Sequence, residues 1–449
     1  MPARSGPPST GARAQAAVAP RSERVAGNDA VWLQDTATNL MVINGVFTTD
    51  RIDLATFRET FRQRVIEAGG GEQYARFRDR VVSVRGVPHW VPDPEFDISR
   101  QIVAAHVSDL STIDKLQRYI GEEASSPLPA DRPPWQFQVI ERFESDSSAV
   151  LARIHHSIGD GMALVSVIFA LMEEMTAEHE LAPARGGIRP AAGAMGKGLL
   201  KAISVPFAAP GILIKRMLWR PDRHALHGAK VSGKKQVAWT APFDLAVVKR
   251  ARTQLDATVN DVLMAVVSGA LSRYLARHAG QSIQKLHISM PVNVRSPHEP
   301  LRLENRFAAV PLELPAGIEQ LAERVRAVKL QMDALKQSVV PIVVYGIQHA
   351  MLTLLPQGVS RGLIDFLANK CTAVVTNVPG PQRELTLAGR RVRSLMFWVP
   401  QRADIGVGIS ILSFAGCVQV GVLADTVLVP DAHDLVRAFE EEFEALRAL

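Results

Sequence analysis

A strand-like run, Ala149-Val150-Leu151-Ala152-Arg153-Ile154, passes directly into His155-His156-Ser157-Ile158-Gly159-Asp160-Gly161. Apolar residues then recur at helical spacing from Met162 to Met175. The polar segment therefore sits on a strand-to-helix connection, where α/β proteins commonly present reactive side chains. The same alternation governs the rest of the chain. A helix start is read at residues 28–34, strands at 40–47, 80–84 and 136–140, and a helix at 113–123. Another helix spans 54–68 and is closed by Gly69-Gly70-Gly71. Farther on come a helix at 260–276, a strand at 285–291, apolar helices between 321 and 368, strands at 372–377, 405–412 and 418–423, and a closing helix at 432–446. The expected class is α/β.

A chain of 449 residues exceeds the roughly 250–300 over which one hydrophobic core grows, so two domains are expected. The reading is a disordered tail over residues 1–24, an N-terminal domain over 25–184, a basic Pro/Gly-rich linker or crossover over 185–235, and a C-terminal domain over 236–449. With 47% hydrophobic and 21% charged residues the chain is globular in composition, and a net charge of +6 makes no case for a nucleic-acid partner. Nine basic residues against the single acid Asp222 fall between Lys197 and Lys235, interleaved with Leu, Ile, Phe and Trp. Such a stretch is read either as a plain surface linker or as a segment lying in a membrane or lipid-inclusion surface. No window offers the ~18 uninterrupted apolar residues of a spanning helix. Two cysteines and no secretory leader point to a reducing, cytoplasmic setting, with contact to lipid surfaces peripheral. Oligomeric state is not set by these features.

Three readings of the paired histidines compete. A metal site needs further ligands at matched spacing, and the other ten histidines are scattered. A structural reading makes both histidines satisfied residues at a strand end. The third is general-base catalysis: an imidazole with a pKa near ~6.5 accepts a proton from an alcohol at neutral pH, worth ~10²- to 10⁴-fold. A thioester is already an activated acyl donor, so a base that strips the acceptor hydroxyl suffices without a covalent acyl-enzyme. In that scheme His156 is the base and Asp160 orients the loop through a cation, while Gly159 and Gly161 let the backbone turn and a substrate approach.

His-His-x-x-x-Asp-Gly resembles the signature of CoA-dependent acyltransferases, the superfamily of chloramphenicol acetyltransferase and peptide-synthetase condensation domains. Within it, the chain from about Asn28 onward resembles the bacterial wax ester synthase/diacylglycerol acyltransferase family. The supporting segments are Pro127 to Trp135, Thr258-Val259-Asn260-Asp261-Val262, Pro291-Val292-Asn293-Val294-Arg295, Glu304-Asn305-Arg306-Phe307 and Thr376 to Pro381. Pro134, Gln136 and Leu40-Met41-Val42 depart from the family pattern, which bears on acceptor preference and on the N-terminal wall.

The resemblance implies two chloramphenicol-acetyltransferase-like domains with mixed sheets, meeting at an active-site tunnel. It implies acyl-CoA as co-substrate, a lipid alcohol (diacylglycerol or fatty alcohol) as acceptor, and no permanently bound cofactor or metal. It also implies His156 as base beside a supporting His155, Asp160 and Gly161 in the loop, and Arg295 as partner of Asp160. Asn260 is read as oxyanion support or as the cap of its own helix. Gly358-Val359-Ser360-Arg361-Gly362 matches a hydrolase-type Gly-x-Ser-x-Gly, but the helical character before it makes Ser360 a helix cap instead. A non-catalytic lipid-surface protein stands as the rival class.

Overall fold

The computed structural model describes residues 21–173, 210–214, 216–296 and 302–449. Residues 1–20 of the expected tail and much of the linker lie outside the described residues. The end of that tail is not disordered, since Glu23–Arg24 forms a strand paired with Trp90 and His89, and the expected 162–175 helix ends at Ala170.

Two large mixed sheets dominate. In the first, Ser147–His155 runs antiparallel between Val42–Asp50 and Trp135–Phe143, and Ile102–Ala104 adds a parallel edge. All nine residues of Ser147–His155 are buried, as expected of a central strand covered on both faces. An aromatic group including Phe47, Phe57, Phe61, Phe77, Trp135 and Phe137 fills one side. The expected 54–68 helix is Leu54–Phe61 followed by a wider turn at Arg62–Ile66. It ends where Gly69 (φ 57°) and Gly70 (φ 70°) enter the left-handed region.

The second sheet contains Lys235–Trp239, Leu286–Asn293, Phe307–Leu314, Ala373–Pro379, Val407–Phe414 and Cys417–Asp425, with Phe243–Asp244 at one end. Two of its pairings, 286–293 with 373–379 and 373–379 with 407–414, are parallel, and the others are antiparallel. The helices Val259–Ala279, Leu321–Gln337 and Ala432–Arg447 contribute buried faces to its core.

Sheet membership does not follow sequence order. Thr386–Leu387 and Arg390–Trp398, from the C-terminal half, form a hairpin whose long strand pairs with Val42–Asp50 of the first sheet. A third apolar cluster joins the halves, packing Val46, Tyr119 and Leu151 with Val237, Met396, Trp398 and Leu412. Among the described residues no single helix is long and apolar enough to cross a membrane.

Candidate active site

His155 closes the strand Ser147–His155, paired with Val42, and His156 is the first residue beyond it. The His156 amide donates to Met41 O at 2.7 Å, and its carbonyl accepts from Asn305 Nδ2 at 2.8 Å. Asp160 then caps the helix Gly161–Ala170 by accepting from the Ala163 amide at 3.1 Å. Its other oxygen accepts from Arg295 Nη1 at 2.6 Å and from the Arg306 amide at 3.0 Å. Arg295 also donates to Glu304 O at 2.6 Å, so one guanidinium joins the histidine loop to residues 304–306.

The two histidines differ in environment. His155 has both nitrogens engaged, Nε2 with Asp35 at 2.8 Å and Nδ1 with the Ser157 hydroxyl at 2.7 Å. Burial pushes the Asp35 carboxyl up, but the His155 contact and the Met41 amide outweigh it and hold its pKa below the ordinary value. His156 is 5% exposed, and its Nδ1 is buried without a hydrogen-bond partner. The Trp32 indole lies flat on the imidazole, centroids 3.8 Å apart and planes 10° apart, with Phe307 at 5.8 Å. Burial lowers the His156 pKa from 6.5 to about 4, against the Asp160 charge, the His156 backbone and the Asn305 side chain. The ring is neutral at pH 7, the form that accepts a proton.

Three supporting residues had no role in the sequence reading. Asp29, in the turn Gly27–Ala30, accepts from both the backbone and side-chain amides of Asn305, at 2.8 and 2.9 Å. It also pairs with Arg76 at 2.9 Å, and Arg76 donates to Ile158 O at 3.0 Å. Burial raises the Asp29 pKa against Arg76 and Asn305. The available signal was thin: Asn305 stood in a quoted block, and Asp29 opened the first helix.

Some expectations are corrected. Thr258, in a capping box with Asp261, caps the helix Val259–Ala279, so Asn260 does not. Asn260 Oδ1 accepts instead from Asn377 Nδ2 at 3.0 Å, tying that helix to the strand Ala373–Pro379. The strand expected at 372–377 runs on to Pro379, paired from Val374 onward with Val407–Phe414. Ser360 is not a cap either. Pro356 holds that position, while Ser360 is buried inside the helix Gln357–Ala368 and bonds to Gln357 O. With a helix and not a strand preceding it, the serine lacks a nucleophile elbow.

Neither Gly159 nor Gly161 has positive φ, so the loop needs no glycine for its turn. A Cβ on Gly159 would press on Ala163 at 3.1 Å, whereas one on Gly161 would meet nothing within 4 Å. Gly159 serves close packing, and Gly161 faces open space.

Residues 26–263 match the model of the wax ester synthase/diacylglycerol acyltransferase catalytic domain, and residues 303–447 match the corresponding C-terminal domain. A probable diacylglycerol O-acyltransferase of Mycobacterium tuberculosis is 26% identical over 81% of this chain and 82% of its own length. Wax ester synthase/diacylglycerol acyltransferase 2 of Arabidopsis thaliana is 25% identical over 81% and 82%. The solved wax ester synthase/diacylglycerol acyltransferase of Marinobacter aquaeolei VT8 superposes with a TM-score of 0.68 at 19% identity, covering 95% of this chain and 99% of that one. The starter condensation domain of rhizomide synthetase, solved with C8-CoA and Leu-SNAC, gives 0.59 at 14% identity over 95% and 94%. With over half its length matched by the catalytic-domain model, the chain belongs to the wax ester synthase/diacylglycerol acyltransferase family of acyltransferases.

Proposed function

We propose that the protein transfers a long-chain acyl group from acyl-CoA to a lipid hydroxyl, with His156 as general base and no acyl-enzyme. The acceptor O–H gives its proton to Nε2 of His156 as its oxygen attacks the thioester carbon. The tetrahedral intermediate collapses by breaking C–S, and the imidazolium returns the proton to the departing thiolate, leaving free CoA and an ester. The observation that carries this reading is the contrast between the histidines. Both nitrogens of His155 are engaged, while His156 is held neutral and has no carboxylate on its ring.

Asp160 and Arg295 hold the loop rather than polarising the base. Asn260, whose Oδ1 is taken by Asn377, retains amide hydrogens for a developing oxyanion. A cleft of about 200 Å³ opens beside Met41 and Asn39, but its cations Lys230, Arg361 and Arg402 are paired with Asp404 and Asp365, so it does not mark the donor's anionic arm. The relatives' names favour diacylglycerol and fatty alcohol as acceptors.

The test is CoA release from long-chain acyl-CoA with each acceptor, the products being separated by lipid chromatography. His156→Ala is expected to lose ~10²- to 10⁴-fold in kcat with its melting curve retained, and Ser360→Ala to stay within about threefold. No release with any acceptor would favour the rival, a non-catalytic lipid-surface protein.

A further inference from the structure

In many hydrolytic triads a carboxylate on Nδ1 fixes the imidazole. Among the described residues, the carboxylates beside the base are committed elsewhere. Asp160 caps its helix and pairs with Arg295, Asp35 binds His155, and Asp29 binds Arg76 and Asn305. The His156 backbone is clamped from both sides by Met41 and Asn305, but those bonds leave the side-chain torsions free. Nδ1 itself has no partner. The ring's stacking partners are the Trp32 indole on its face and Phe307 tilted beside it, while the Asn305 side chain bears on its charge. Trp32 lies in the tight turn Val31–Leu33, directly after the turn bearing Asp29, so the network that clamps the backbone also places the indole.

We propose that Trp32 is a positioning residue for the base, fixing the plane of the His156 ring so that the Nε2 lone pair has one direction. The lone pair lies in the ring plane. A partner stacked on the face therefore excludes water and restricts rotation without obstructing proton transfer at Nε2. This inference rests on His156 being the base.

Three full-length proteins test it: wild type, Trp32→Phe and Trp32→Leu. The leucine variant is expected to lose about 10- to 100-fold in kcat, with KM for donor and acceptor within about threefold, because misplacing a catalytic group by ~1 Å carries a loss of this size. Water reaching the exposed ring face also moves the acid limb of kcat/KM upward from its wild-type position, toward that of an ordinary histidine. The groups that bear on that limb, Asp160, His155 and Asn305, are unchanged in the variant. Trp32→Phe keeps a flat partner and restores most of kcat.

A leucine variant with wild-type kcat and acid limb, altered only in KM or chain-length preference, overturns the proposal and makes Trp32 a wall of the substrate channel. Histidine-selective NMR of the wild type supplies a readout independent of activity. Ring protons of one histidine should be shifted upfield by the indole and released in Trp32→Leu, and their absence also overturns it. If His156→Ala proves active, the base assignment fails while the ring-current result still reports the stack.

Discussion

The Asp160 carboxylate receives an amide from Ala163, an amide from Arg306 and the guanidinium of Arg295, whose side chain is 4% exposed. Removing that guanidinium leaves a buried carboxylate with two neutral donors, a change that destabilises by about 3–5 kcal/mol in comparable sites. Arg295→Ala is expected to fall in that range by denaturant midpoint at unchanged slope, and to lower kcat because the same loop carries His156. Arg295→Lys should recover only part, since one ammonium cannot reproduce the fork to Asp160 and Glu304. Arg295 as the cation came only from the family resemblance, while the need for a cation at Asp160 was legible in the sequence. Trp32, Asp29 and Arg76 were not, because nothing local marks them. Their significance comes from folding a tight turn and an irregular segment against a loop 80 to 130 residues away.

At the scale of elements, the helix Gln357–Ala368 buries only Ser360 fully, although Val359, Leu363, Ile364, Phe366 and Leu367 make one side of it apolar. Val359 is 55% and Phe366 48% exposed, and Leu354 at the end of the preceding helix is 78% exposed. Lys370 lies over the Phe366 ring at 4.5 Å and donates to Met217 O, next to the exposed Leu218. Lys370 is itself buried and bonded to the Met217 and Trp219 carbonyls, so the exposed side of the helix is apolar. Val359→Asp with Phe366→Asp is expected to leave turnover of short, water-soluble substrates within about twofold, because neither side chain is buried, and its cosedimentation with vesicles beside that of the wild type tests whether this side meets lipid. Undiminished vesicle binding would count against this face. The sequence placed apolar helices here and read the basic stretch 199–235 as either a surface linker or a lipid-surface segment, and much of that stretch lies outside the described residues. An exposed apolar side and a buried one have the same periodicity, so only the packing distinguishes them.

For the molecule as a whole, the class and the alternation of elements were readable because strands and helices have distinct apolar periods. The crossing of Arg390–Trp398 into the first sheet was not, since its partner Val42–Asp50 is a pairing no local pattern encodes. The expected boundary at residue 236 accordingly leaves two strands of the first sheet, Thr386–Leu387 and Arg390–Trp398, in the C-terminal segment. Expressing residues 25–235 and 236–449 as separate chains is expected to give aggregated or poorly folded material, whereas co-expression should allow recovery of a complex. A monomeric N-terminal piece with a cooperative melt would show that the hairpin is dispensable.

The hairpin also bears on how the protein is made. Asp50 and Arg393, hydrogen-bonded across that junction, are 343 residues apart. At ~5–20 residues per second, the ribosome needs roughly 20 to 70 s to travel between them. Throughout that interval Val42–Asp50 has an unpaired edge, open to any other strand nearby. The first sheet therefore cannot close that edge until residue 398 has left the exit channel.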